Sequence, residues 1–485
     1  PVSKTLLTFS IPIMLGNALQ SLNGFINSIW VGQLLGQQAL AATSTANILL
    51  YFLISTIFGL AMATVIMIGK HVGAGNIPEA KRIVGTSANF FLVSSLIVSF
   101  IGVFFTSPIL EIIHIPSDIK SLAVAYTRIL FLGIPFSFMF QFVMAVIRGA
   151  GDSKTPFYFL MLAIGMDIAL NPVLILGMGP FPELGIAGSS LAMGLAQFIS
   201  LLLFLRFVYA KNHPLRITVD DLPLLRIDWG ILRFLITKGI PMGLQMIFST
   251  SSVLVLISLI NSFGSEAAAA FGAVNQIISY IQIPGIAIGG ALTSIAAQNI
   301  GAGKWQRVHR STAVGFGFNL LFTGVLIALC IFFQVEILSL FLPDAHRSLE
   351  IAKQIVSTTF WSYILLSGTF VLTGTVRSAG SVVVPLLITV LTLWGIRLLL
   401  GRSIWSGKAV VELSGCFYPF HRPPFHLLFV RQMDQSEQCE MISASSGLRV
   451  CTLCRSTLRC AARDGMADER RGKVNKKAYV HLRRG

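Results

Sequence analysis

The sequence predicts an all-α integral membrane protein made of two pseudo-symmetric six-helix lobes, with the twelfth helix lost. Three observations predict it: apolar runs long enough to cross a bilayer, connections that alternate in charge, and an internal repeat at a near-constant offset. The composition agrees, with 54% hydrophobic residues, 12% charged residues and a mean hydropathy of +0.78. A soluble domain carries about a quarter charged residues. The 36 Phe and 43 Gly suit helices that face lipid and pack closely on one another.

A spanning helix needs roughly 20 predominantly apolar residues. Eleven runs meet that need, at 6–31, 46–69, 86–110, 122–147, 156–177, 185–209, 233–260, 270–297, 312–335, 351–375 and 381–400. Every second connection between them is basic, with Lys70, Lys81 and Arg82; Arg148 and Lys154; Lys211, Arg216 and Arg226; Lys304, Arg307 and Arg310; and Arg377. The others hold Glu111 and Asp118, Glu183, Glu266, and Asp344 with Arg347 and Glu350. By the positive-inside rule the N-terminus and the basic connections are cytoplasmic, in a multi-pass protein of the cell's plasma or inner membrane. A net charge of +16 would otherwise suggest nucleic acid, but half of it lies in residues 401–485. The rest follows the loops, and no nucleic-acid partner is expected.

The chain also repeats itself. Ile11-Pro12 recurs as Ile240-Pro241 and Arg148-Gly149-Ala150-Gly151 as Arg377-Ser378-Ala379-Gly380, both at an offset of 229. Asn47 recurs as Asn275, and VGAGN (72–76) as IGAGK (300–304), at an offset of 228. Landmarks in one order at one offset mark a duplication. Six spans per repeat is an even number, so both halves share one orientation, with the cavity between them and an axis along the membrane normal. The organisation predicted is an N-terminal six-helix lobe at 1–210, a cytoplasmic linker at 211–231, a C-terminal lobe at 232–400 with five recognisable spans, and a basic, Cys-containing tail at 401–485.

The fifth run, PFYFLMLAIGMDIALNPVLILG, carries Asp167 in its middle. At about 1.5 Å per residue this is near the bilayer midplane. A carboxylate there costs at least about 2.5–3.5 kcal/mol, and such groups default to function. Asn171 follows one turn on, and Pro172 frees a carbonyl one turn back. From the residues alone Asp167 is either an exchange site or a structural carboxylate hydrogen-bonded between helices. Gln20, Asn23, Asn27, Ser28 and Ser189 are its candidate partners in the first lobe, and read blandly they are interhelical glue. No His, Cys or paired carboxylates gather in the spans, so an enzyme is not expected.

These features resemble the multidrug and toxic compound extrusion (MATE) family over about residues 3–398. RGAGDSKTP (148–156), QNIGAG (298–303), NSIWVG (27–32), Asn171-Pro172 and ELGIAGSSLA (183–192) match its motifs. The resemblance implies a V-shaped pair of lobes exporting small organic cations by alternating access, in exchange for inward H⁺ or Na⁺. It implies no other cofactor and no bound metal, and the chain is expected to act as a monomer in the lipid bilayer. Many members carry an acid where this chain has Asn27, and Asn then Asp-Pro where it has Asp167 then Asn171-Pro172. The pair looks exchanged. Ala192-Met193 stands where the sixth helix often reads Ala-Thr, and the seventh run offers Gln245 but no acid. One carboxylate then serves where relatives often use two, which assigns Asp167 and Asn171 to cation coupling. Substrate contact falls to Gln20, Asn23, Asn27, Ser28, Asp167 and Ser189.

Beyond Leu398 the character changes. Five of the six Cys lie in the tail, and one Cys451-x-x-Cys454 without a regular second pair is a weak basis for zinc. The tail reads as translation in a shifted frame, without an evolved fold. Two other functions are weighed against efflux. A lipid-linked precursor flippase of the same superfamily would need cationic residues deep in the spans, and a non-functional product of a damaged gene is suggested by the tail.

Overall fold

In lipid every backbone polar group must be satisfied within the chain, which favours helices wherever apolar runs cross. The computed structural model describes residues 2–112, 115–218, 221, 226–342 and 346–396, and among them no strand occurs. The tail at 401–485, its cysteines, Asp344, and a twelfth helix lie outside the described residues.

The first half comprises α1 (Val2–Gly73), α2 (Ile77–Phe104), the short α3 (Thr106–Ile112), α4 (Lys120–Gly149), α5 (Lys154–Leu176) and α6 (Ile186–Ala210). The second comprises α7 (Trp229–Asn261), α8 (Ser265–Gly301), α9 (Trp305–Phe332), the short α10 (Gln334–Ser339), α11 (His346–Ser378) and α12 (Val383–Val390), which runs into a π-helical turn, Leu391–Ile396. The 72 residues of α1 hold two spans, bent at Gly36, where φ is 84° and ψ −175°. A side chain would resist that backbone, and glycine does not. With α1 counted as two arms, long helices reproduce the first ten expected runs in order, and the described part of the eleventh is α12 with its π turn.

The duplication is visible in the backbone. Gly75 and Gly303, equivalent positions of the two GAG turns, have φ of 75° and 69°, and Gly151 and Gly380 have 101° and 100°. Each repeat also lends its first helix to the other's core. Ile231, Leu235 and Met242 of α7 pack with Leu60, Ile66 and Phe142 in the first core. Leu6, Phe9 and Ile13 of α1 pack with Ile288, Leu292 and Val371 in the second.

The two halves approach closely at the end that carries the basic connections. A methyl group on Gly73 would strike the carbonyl of Gln298, and one on Gly301 would strike the carbonyl of Lys70. Gly73 and Gly301 are 228 apart, as are Lys70 and Gln298, so the two contacts are images of each other. Gly69 and Ala297, also 228 apart, face each other, a Cβ at Gly69 standing 2.9 Å from that of Ala297. A pseudo-two-fold axis therefore passes between them.

The connection from α6 to α7 is tied to α2. Lys81 Nζ meets Asp221 Oδ2 at 2.6 Å and Arg82 Nη2 meets Asp228 Oδ2 at 2.6 Å. Thr86 Oγ1 donates to the Arg226 carbonyl at 3.2 Å and accepts from Asp228 N–H at 3.3 Å. Asp228 Oδ1 also caps α7, accepting from Gly230 and Ile231 N–H at 2.7 and 3.1 Å. The Lys81 hydrogen bond, aided by the Thr218 amide and hydroxyl, holds the Asp221 carboxyl down at about 2. A lowered carboxylate contributes stability above its unfolded value, about 3.9, and loses it as pH falls toward 2. The strap is thus expected to stay charged and closed between about pH 5 and 8. Asp221→Asn should raise tryptic cleavage after Arg216 and Arg226 several-fold at about pH 7.5, and equal cleavage rates would contradict this role.

Candidate functional site

The site forms where α5 meets the first arm of α1. On α5 a four-residue spacing sets Asp167 and Asn171 one turn apart on one face, and both are buried, at 2% and 0% exposure. On α1 the same spacing aligns Asn23 and Asn27. Asn23 Nδ2 donates to Asp167 Oδ2 at 2.8 Å, and Asn27 Nδ2 donates to the same oxygen at 2.9 Å. Asn27 Oδ1 accepts in turn from Asn171 Nδ2 at 3.1 Å. Two amides of α1 therefore hold the carboxylate of α5, and the third, Asn171, holds Asn27.

The balance of donors and acceptors is uneven. Asp167 Oδ1, Asn23 Oδ1 and Asn171 Oδ1 are buried with no donor. Buried polar oxygens normally find a partner, so three orphans in one cluster call for an explanation. Both amides that reach Asp167 bind Oδ2, which leaves Oδ1 to accept a proton or a small cation. The chemistry of the set, a carboxylate with amide oxygens, fits either.

The hydrogen bonds join Asn23, Asn27, Asp167 and Asn171 and reach neither Gln20 nor Ser189. Gln20 is exposed on α1, one turn before Asn23. Ser28 is exposed and donates to the Gly24 carbonyl of its own helix at 2.9 Å. Ser189 is buried on α6. A further residue, Tyr126 of α4, is buried with its phenol within electrostatic reach of Asp167. An aromatic residue in an apolar run gives no sequence signal of such a place.

Among the described residues the second repeat has no equivalent site. At the 229 offset, Asn23, Asn27 and Asp167 correspond to Ser252, Leu256 and Ile396. Its polar links lie elsewhere: Arg377 Nη2 donates to Gln245 Oε1 at 2.6 Å, and Gln245 Nε2 donates to Thr389 Oγ1 at 2.9 Å. Among the described residues, no cluster of His, Cys, Asp and Glu suited to a metal ion occurs.

Asn27→Ala would strip one donor from Asp167 and the acceptor from Asn171. Leaving buried polar groups unpaired costs about 1–3 kcal/mol each, and a melting experiment in detergent should register a loss of that order. Ser28→Ala, exposed and bonded only within its own helix, should melt like the native protein.

Comparison with known proteins places the chain. The MatE family model matches residues 12–173 and 241–401. The chain is 37% identical over 396 residues to the probable multidrug resistance protein YoeA of Bacillus subtilis, covering 82% of this chain and 85% of that one. It is 33% identical over 419 residues to the probable multidrug resistance protein YpnP of the same organism, covering 85% and 91%. Its fold matches a crystal structure of MATE in complex with MaL6 at a TM-score of 0.82 and 18% identity, over 90% of this chain and 97% of that one.

Proposed function

The chain belongs to the MATE family of multi-pass multidrug transporters, and from that premise we propose that it exports small organic cations in exchange for inward H⁺ or Na⁺, with Asp167 as the exchange site. The observation that carries this reading is the orphaned Asp167 Oδ1 beside two orphaned amide oxygens, buried in an apolar helix. The names of the two Bacillus relatives support drug-like substrates.

Asn23 and Asn27 fix the carboxylate by one oxygen and leave the other as the binding atom. A proton or Na⁺ taken there neutralises the group, and an organic cation competes for the same charge. Desolvation disfavours the bare carboxylate, so whichever cation the open side supplies is bound. Alternating access then needs only that the outward and inward states favour different occupants. In this reading the lobes are residues 1–210 and 232–400, the 211–231 connection joins them on the cytoplasmic side, and the N-terminus is cytoplasmic. The protein acts as a monomer in the plasma or inner membrane, without a further cofactor.

Asp167→Asn keeps the shape of the side chain and removes its charge. It should abolish export of a fluorescent cation from energised cells while the amount of protein in the membrane stays normal. Export at the native rate would remove Asp167 from the mechanism.

A further inference from the structure

The RGAG motif ends α4 and the QNIGAG motif ends α8, and the structure joins them. Ser294 Oγ donates to the Arg148 carbonyl at 2.6 Å, and Gln298 Nε2 donates to the Gly149 carbonyl at 2.9 Å. Both acceptors lie in the last turn of α4, where carbonyls run out of intrahelical N–H partners; the Arg148 carbonyl also accepts from Gly151 N–H at 3.0 Å. Both donors lie on the last turns of α8, in the other half of the molecule. The bonds therefore cross the seam where the halves meet at the basic end, beside the paired contacts of Gly73 with Gln298 and Gly301 with Lys70.

The pseudo-symmetry sharpens the point. The glycine contacts occur in both directions across the axis, as a duplicated chain requires. The hydroxyl bond occurs in one direction. The first-repeat counterpart of Ser294 is Ile66, which is buried in the first core and has no donor, and the counterpart of Gln298 is Lys70. The Ser294 bond, for which Ile66 offers no hydroxyl, is not inherited from the duplication. It is an addition to a seam already closed by shape.

We propose that Ser294 and Gln298 form a latch on the α4 carbonyls that holds the basic end of the transporter closed, and so sets the balance between its two access states. If this end opens, the helix-end carbonyls of Arg148 and Gly149 pass to water, and the two donors with them. The exchange is therefore reversible, as a gate that cycles requires. Each bond shifts the closed-to-open ratio by about fivefold, the usual net value of one hydrogen bond. The glycines set the approach that lets the donors reach.

The test measures distance and is independent of transport, so it stands or falls separately from the role of Asp167. Spin labels are placed at Ala74 and Ala302, exposed equivalents in the two GAG turns, in the full chain with its native cysteines replaced. Double electron–electron resonance in lipid nanodiscs then reads the separation of the halves. The native latch should give mainly a short distance. Ser294→Ala combined with Gln298→Leu should raise the long-distance fraction relative to the short one more than tenfold. Gly73→Ala and Gly301→Ala, which wedge the seam from opposite sides, should each raise it as well. Asp167→Asn supplies a sample that leaves the latch in place. A native distance distribution in the latch double variant, with the protein correctly folded by its melting curve, would overturn the proposal. So would a shift in the wedge variants alone.

Discussion

A carboxylate near the middle of an apolar helix is the constraint on which the rest of this molecule depends. Burying the charge of Asp167 in lipid or dry protein without donors costs at least about 2.5–3.5 kcal/mol. The chain meets that constraint with amides from a second helix, and those amides tie α1 to α5. Because both reach the same oxygen, the carboxylate is held without being neutralised. A group fixed in place with one oxygen still unsatisfied can exchange protons or cations. A fully satisfied one would be only a structural link.

Duplication supplies the framework for that site, and departures from duplication supply its polar groups. The GAG turns and the RGAG and RSAG turns keep matching backbone angles in both repeats. The reciprocal docking of α1 and α7 on the opposite cores follows from the same ancestry. Against that background the polar groups are one-sided. The carboxylate and its amides occur only in the first repeat, where the second has Ser252, Leu256 and Ile396. The Ser294 hydroxyl across the seam belongs to the second repeat, where the first has Ile66.

Much of this was legible in the chain. Runs of about twenty apolar residues, loop charge and the repeat offset predict the helices and their order, because lipid leaves few alternatives to helices. The four-residue spacings of Asn23 with Asn27 and of Asp167 with Asn171 predict shared faces, and the structure brings those faces together. Ser28, one position from Asn27, is turned by about 100° and points away. Gln20 shares the register but lies a turn short of the carboxylate. Tyr126 carries no sequence mark, since packing alone brings α4 beside the site. The Ser294 and Gln298 bonds were hidden for another reason: their acceptors are backbone carbonyls, which every residue has. The bend of α1 at Gly36 was likewise unmarked, because one glycine among many does not declare a positive φ.

The central claim is that an organic cation and the coupling ion compete for Asp167. It is tested most directly by measuring the affinity of the purified full chain for a fluorescent organic cation while pH is lowered or Na⁺ is raised. The account predicts that affinity falls along at least one of these two titrations in the native protein, and that Asp167→Asn abolishes the dependence together with tight binding. An affinity indifferent to both pH and Na⁺, or a dependence that survives Asp167→Asn unchanged, would contradict it.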